Sequence, residues 1–234
     1  MKRFGRLAMV ALLLAAALSS RPAAASGTCP APAGADPALQ RVDSRQRLAW
    51  IDAHLSETAR KARIWTWGWG VGIVAATGAN LVPLAFVSAD QRIDWYVGAG
   101  TTIVGIVPLL IAPLDVIADA RALHQEIAQS SAGDDVCRLL ADAEARLVRD
   151  AANQTDGQRW WLHVGNVVLN TGVGLFLGLG YHHWGAGALN AGTGIAIGEA
   201  IILTQPTGSI GDLRSYRAGA LGPPATTVSY RMAF

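Results

Sequence analysis

Four stretches of this chain run for twenty or more residues with almost no formal charge, and they constrain the fold more than any other feature. They are IWTWGWGVGIVAATGANLVPLAFV (64–87), WYVGAGTTIVGIVPLLIAPL (95–114), WWLHVGNVVLNTGVGLFLGLGYHHW (160–184) and GAGALNAGTGIAIGEAIILT (185–204). An apolar helix of about 20 residues reaches across the hydrocarbon core of a bilayer, which is far longer than a strand of a soluble domain. Trp65, Trp95, Trp160, Trp161 and Trp184 fall at the ends of these runs, where an indole ring prefers the headgroup level. With 51% hydrophobic and 15% charged residues, the chain is more apolar than a soluble domain, in which about a quarter of residues are charged. The pattern predicts four transmembrane helices.

Charged blocks precede each pair of runs. Residues 36–63 hold six basic and four acidic groups, with Leu39, Val42, Leu48, Ile51 and Leu55 at helical spacing. Residues 134–159 repeat that character. Short words recur as well: AGTTI at 99–103 matches AGTGI at 191–195, and aligning Thr77-Gly78 with Thr171-Gly172 sets Trp67 opposite Trp161. The expected architecture is therefore an all-α membrane protein, with four transmembrane helices arranged as two repeated hairpins. Each hairpin follows an amphipathic extracytoplasmic helix. Its expected divisions are a signal peptide (1–25), an amphipathic helix (26–63), hairpin 1 (64–117), a second extracytoplasmic helix (118–159), hairpin 2 (160–204) and a C-terminal tail (205–234).

The N-terminus sets the expected orientation. Lys2, Arg3 and Arg6 precede an apolar core from Leu7 to Leu18, and Ala23-Ala24-Ala25 supplies small residues for cleavage. That is the layout of a secretory signal peptide. It places both charged helices and the tail outside the cytoplasm, in a bacterial-type inner membrane. In that oxidising compartment Cys29 and Cys137, the two cysteines, are expected to form a disulfide, which would stabilise by roughly 4–5 kcal/mol. The short turns carry only Arg92 and two histidines as basic groups, so the orientation rests on the signal and not on a positive-inside bias.

Polar residues within the runs are the candidate site. His163, Asn166 and Asn170 share one helical face, and Glu199 lies in the partner run. A carboxylate at membrane depth costs about 2.5–3.5 kcal/mol on insertion scales, so it tends to be paired, neutral or functional. Counting from a turn near Trp184 sets Glu199 opposite residues near 169, where Asn166 or Asn170 would hydrogen-bond it. The first copy has Ile106 near the equivalent place. Gly174 with Gly178, and Gly194 with Gly198, form G-x-x-x-G pairs expected to let helix backbones approach. His182 and His183 are expected in a solvated turn.

No HExxH, GxSxG, Walker loop or CxxC occurs, and acids are interleaved with a net charge of only +2. Neither catalytic machinery, a cofactor, a metal nor a nucleic-acid partner is expected. The expected partners are the lipid bilayer and a membrane protein or a second copy. The expected role is structural or partner-binding, and the alternative is a small solute or ion transporter using Glu199. A third reading is an outer-membrane β-barrel. The terminal TTVSYRMAF alternates and ends in Phe234, so it resembles the C-terminal strand of such barrels, and WTWGWGVGI alternates large and small. Pro83 and Pro108 within the runs, and run lengths twice those of barrel strands, favour helices.

Overall fold

A computed structural model describes residues 27–111, 114–131 and 135–222; of these 81% are helical, with no strand among them. The barrel alternative is thereby set aside: WTWGWGVGI, read as an alternating strand, lies within a helix. The signal segment (1–25) and the strand-like TTVSYRMAF lie outside the described residues.

Helix α1, Ser44–Leu81, begins where the Asp43 carboxylate accepts the N–H groups of Arg45 (2.9 Å) and Gln46 (3.1 Å), satisfying donors that a helix start leaves open. It runs for 38 residues, about 57 Å at 1.5 Å per residue, through the charged block and into the apolar one without a break. The expected boundary at residue 63 is absent, because nothing between Arg63 and Ile64 interrupts helical hydrogen bonding. Pro83, which cannot donate, stands in the short 3-10 turn Val82–Ala85 that ends the run. Helix α2 follows at Arg92–Ile111. The second charged segment, expected as one helix over 118–159, is instead two: α3, Val116–Gln129, and α4, Val136–Asp156. Asp135 caps α4 as Asp43 caps α1. Helices α5, Trp160–Tyr181, and α6, Trp184–Thr204, form the second apolar hairpin, and the tail contributes a further helix, α7, Gly208–Arg217.

The helices sort by chemistry. The charged half of α1 packs with α3, α4 and α7 into a four-helix cap. Its core is built from Leu48, Ile51, Leu55, Leu123, Leu140 and Leu147, with Leu39 and Tyr216. Arg47 is wholly buried there. Its guanidinium donates to the carbonyls of Cys29 (2.9 Å) and Pro30 (3.3 Å), to the Tyr216 hydroxyl (2.9 Å) and to Glu144. One side chain thus ties the N-terminal loop, α1, α4 and α7 together. The same loop is joined to α4 by the Cys29–Cys137 disulfide, with Cα atoms 5.3 Å apart.

In the apolar half the arrangement inverts. α1 pairs with α2 and α5 with α6, while their large apolar side chains face outward: Trp67 is 73% exposed, Phe86 84% and Leu189 71%. Water-soluble surfaces do not carry continuous apolar faces of this kind. Segments within Ser44–Ala85, Val136–Tyr181 and Trp184–Arg217 are long and apolar enough to cross a membrane. These three fit a membrane protein.

One group in the cap is anomalous. Asp150, on the core face of α4, is 1% exposed and neither carboxylate oxygen has a hydrogen-bond partner. Burial, and then the charge of Asp119 on α3, to which only a protonated Asp150 could donate, push it up to about 8. An aspartate raised in the folded state disfavours folding wherever the unfolded chain would ionise it. That penalty is absent below about pH 4, grows between about pH 4 and 8, and is complete above. Asp150→Asn should therefore stabilise the cap at neutral pH by a few kcal/mol, on the order of 1.4 per pH unit of the window crossed. Denaturant unfolding followed across that range should show the gain shrinking to nothing toward about pH 4, and a gain independent of pH would contradict this account.

Candidate functional site: a polar ladder in the second hairpin

The polar residues of the second hairpin form a ladder descending from its cap end. His163, one turn into α5, places Nδ1 2.5 Å from Oε2 of Glu199. Asn166, the next turn down, donates from Nδ2 to Glu199 Oε1 (2.9 Å) and to the Ile195 carbonyl (3.0 Å). Asn170 then donates to the Asn166 carbonyl (2.9 Å) and to its Oδ1 (2.8 Å). Both oxygens of the carboxylate therefore have partners.

The register differs from the one expected. The hairpin reverses at His182-His183, not at Trp184: His182 adopts a left-handed φ of 60°, and the His183 N–H reaches back to the Leu177 carbonyl at 3.1 Å. That closure displaces the helices and sets Glu199 opposite His163 and Asn166, away from residue 169. Asn170 thus reaches Asn166 and not Glu199. Histidine is an unusual occupant of a left-handed turn that glycine ordinarily fills.

The glycines serve two different purposes. Gly174 meets Gly187 backbone to backbone, since a Cβ at Gly174 would lie 2.8 Å from the Gly187 oxygen and one at Gly187 2.5 Å from the Gly174 oxygen. Gly178 gives way to the ring of Trp184, 2.4 Å from where its Cβ would stand. Gly194 and Gly198 instead make room for the ladder. A Cβ at Gly194 would sit 1.9 Å from Asn170 Oδ1, and one at Gly198 2.1 Å from Asn166 Oδ1. The G-x-x-x-G spacing read as backbone packing is here a pair of notches for amide side chains.

At the opposite end, sequence reasoning missed a contact. His183 is not a freely solvated turn residue: Nδ1 lies 2.7 Å from Asp94 and Nε2 3.1 Å from Asp90, both in the turn region of the first hairpin. The partners are about ninety residues away in sequence, and no spacing signal connects them. Elsewhere the hairpins touch where Trp65 and Trp69 both donate to Thr204 Oγ1 (3.2 and 3.0 Å). Among the described residues no three His, Cys, Asp or Glu side chains are grouped to hold a metal.

Overpacking a close contact typically costs about 1–3 kcal/mol, so Gly198→Ala should destabilise by that amount, whereas Gly192→Ala, where a Cβ meets nothing within 4 Å, should not. Since the clash is with the Asn166 side chain, Gly198→Ala should add little to Asn166→Ala. Thermal unfolding of the four proteins in detergent measures this coupling. Additive effects would mean that the glycine serves something other than the amide.

Compared with protein-family models, curated proteins and solved structures, the chain matches none.

Proposed function

We propose that the chain is an exported four-span membrane protein with a structural or partner-binding role, in which a disulfide-closed cap outside the cytoplasm surmounts two hairpins. In this reading the fourth span is α2, whose uncharged stretch begins at Trp95. The N-terminal signal layout and the Cys29–Cys137 bond both favour a cap on the oxidising side of a bacterial-type inner membrane. The packing also favours a duplication in which each unit is helix, span, span, helix. α1 pairs with α3 across the first hairpin, and α4 pairs with α7 across the second.

The observation that carries the structural reading is the saturation of Glu199, which has His163 on one oxygen and Asn166 on the other. Polar groups that occupy one another act as interhelical glue, each bond worth about 0.6 kcal/mol on average in a membrane. The partner in this reading is another membrane protein or a second copy, met through the outward apolar faces.

A second reading, proton or cation transfer at Glu199, draws on a different observation. The side chains of His163 and Glu199 remain 32% and 26% exposed, at a depth where ionisable groups usually mark a pathway. Liposomes carrying the purified protein and an internal pH dye separate the two. The structural reading expects no flux above empty liposomes, and a loss of thermal stability of about 1 kcal/mol in Glu199→Gln. A pH-driven flux in the wild type that Glu199→Gln abolishes would replace it with the transport reading.

A further inference from the structure

We propose that His183 is a proton-operated latch that holds the two hairpins together at their turn ends, closed when its ring donates from both nitrogens and open when it has lost a proton.

The geometry specifies the charge state. Asp94 Oδ1 stands 2.7 Å from Nδ1 and Asp90 Oδ2 stands 3.1 Å from Nε2. Carboxylate oxygens only accept, and a neutral imidazole has one N–H, so both bonds coexist only in the imidazolium. The ring is not free to look elsewhere. The left-handed turn at His182 and the bond from the His183 N–H to Leu177 fix its origin, and the side chain is only 17% exposed.

The latch stands where it matters. Beyond the bonds of Trp65 and Trp69 to Thr204, the first hairpin packs on α5 and α6 through α2, and Asp94 lies in the first turn of α2. One level deeper, Asn80 of α1 and Asn190 of α6 both crowd Gly98 of α2, their Oδ1 atoms 2.3 and 3.1 Å from where its Cβ would stand. The turn ends thus meet through a small polar contact, while the outer ends are held by the cap.

Other charges near the latch are few. Arg92 lies between the two aspartates in sequence, α5 contributes His182 and Tyr181, whose ring centroid is 6.5 Å from that of His183, and α6 has no ionisable residue before Glu199 at its far end. The last polar residue of α1 is the uncharged Asn80, which lies against Gly98 of α2. The hydrogen bond to Asp94 foremost, with Asp90 adding to it, raises His183 above the ordinary imidazole range. A raised histidine holds its stabilisation below its usual value, about pH 6.5, and loses it as pH climbs through the folded-state value. The neutral ring keeps one donor, retains the sheltered Asp94 and turns a lone pair toward Asp90, leaving the two carboxylates with no cation between them. The latch therefore opens on the alkaline side.

The test uses the full chain in lipid nanodiscs, with nitroxide labels on the exposed Phe86 of the first hairpin and Leu179 of the second. One distance population is expected at roughly pH 6, with a second, longer one growing in on the alkaline side. Nitrogen-15 NMR of the histidines should show His183 losing its proton over the same interval. His183→Gln, which cannot carry the charge, should show the longer population at every pH. Asp90→Asn, at a carboxylate 81% exposed, should move the transition to lower pH. An unchanged distance while NMR records deprotonation of His183 would overturn the proposal. So would a His183→Gln protein that keeps the pH-dependent shift.

Discussion

Between Ala62, sealed in the cap's core, and Ile64, 62% exposed on the apolar side, the backbone of α1 continues as one uninterrupted helix. A helix satisfies its own peptide groups, so its backbone is indifferent to which solvent surrounds it; only the side chains register the change. That indifference lets one element belong to two bodies. In its first half Leu48, Ile51 and Leu55 face α3 and α4, and in its second Thr77 donates to Thr102 of α2 at 2.8 Å. The cap and first hairpin share one continuous helix, whereas the second hairpin joins the cap through residues 157–159 and 205–207.

The helical class was legible because period and length are local properties: Leu48, Ile51 and Leu55 announce a core face, and the uncharged runs announce their own length. The break within 118–159 was less legible, since the segment around 130–135 is polar like its flanks, and only the caps, Ser130 closing α3 and Asp135 opening α4, mark it. The ladder was half visible. His163, Asn166 and Asn170 share a face by spacing alone, but pairing them with Glu199 required the hairpin register. That register depends on which residue takes the left-handed turn, and His182 carries no signal for it. The contact of His183 with Asp94 was invisible for a simpler reason: no local rule links two turns from different hairpins.

Arg47 shows how far a buried charge depends on company. Removing such a group from water is costly unless each donor is satisfied, and here two backbone carbonyls, a phenol and a carboxylate share the task. Burial, and then the nearby Glu144 carboxylate, raise the Tyr216 phenol well above its ordinary value, so it remains a donor to that carboxylate at 2.5 Å. Asp150, fewer than two turns beyond Glu144 on α4, has no such set of partners. The contrast within one small bundle separates a charge that organises a core from one that the core merely contains.

The Cys29–Cys137 bond closes a covalent ring with a sequence separation of 108, and the whole first hairpin lies inside that ring. The second hairpin and α7 lie outside it. On the four-span reading, a chain threaded through the bilayer an odd number of times between the two cysteines would leave their sulfurs on opposite faces, unable to meet. The bond thus acts as a parity check on insertion: it excludes a first hairpin that entered and failed to return. Oxidised protein is then, molecule by molecule and on that reading, protein in which no single crossing separates the two cysteines, whatever becomes of the second pair.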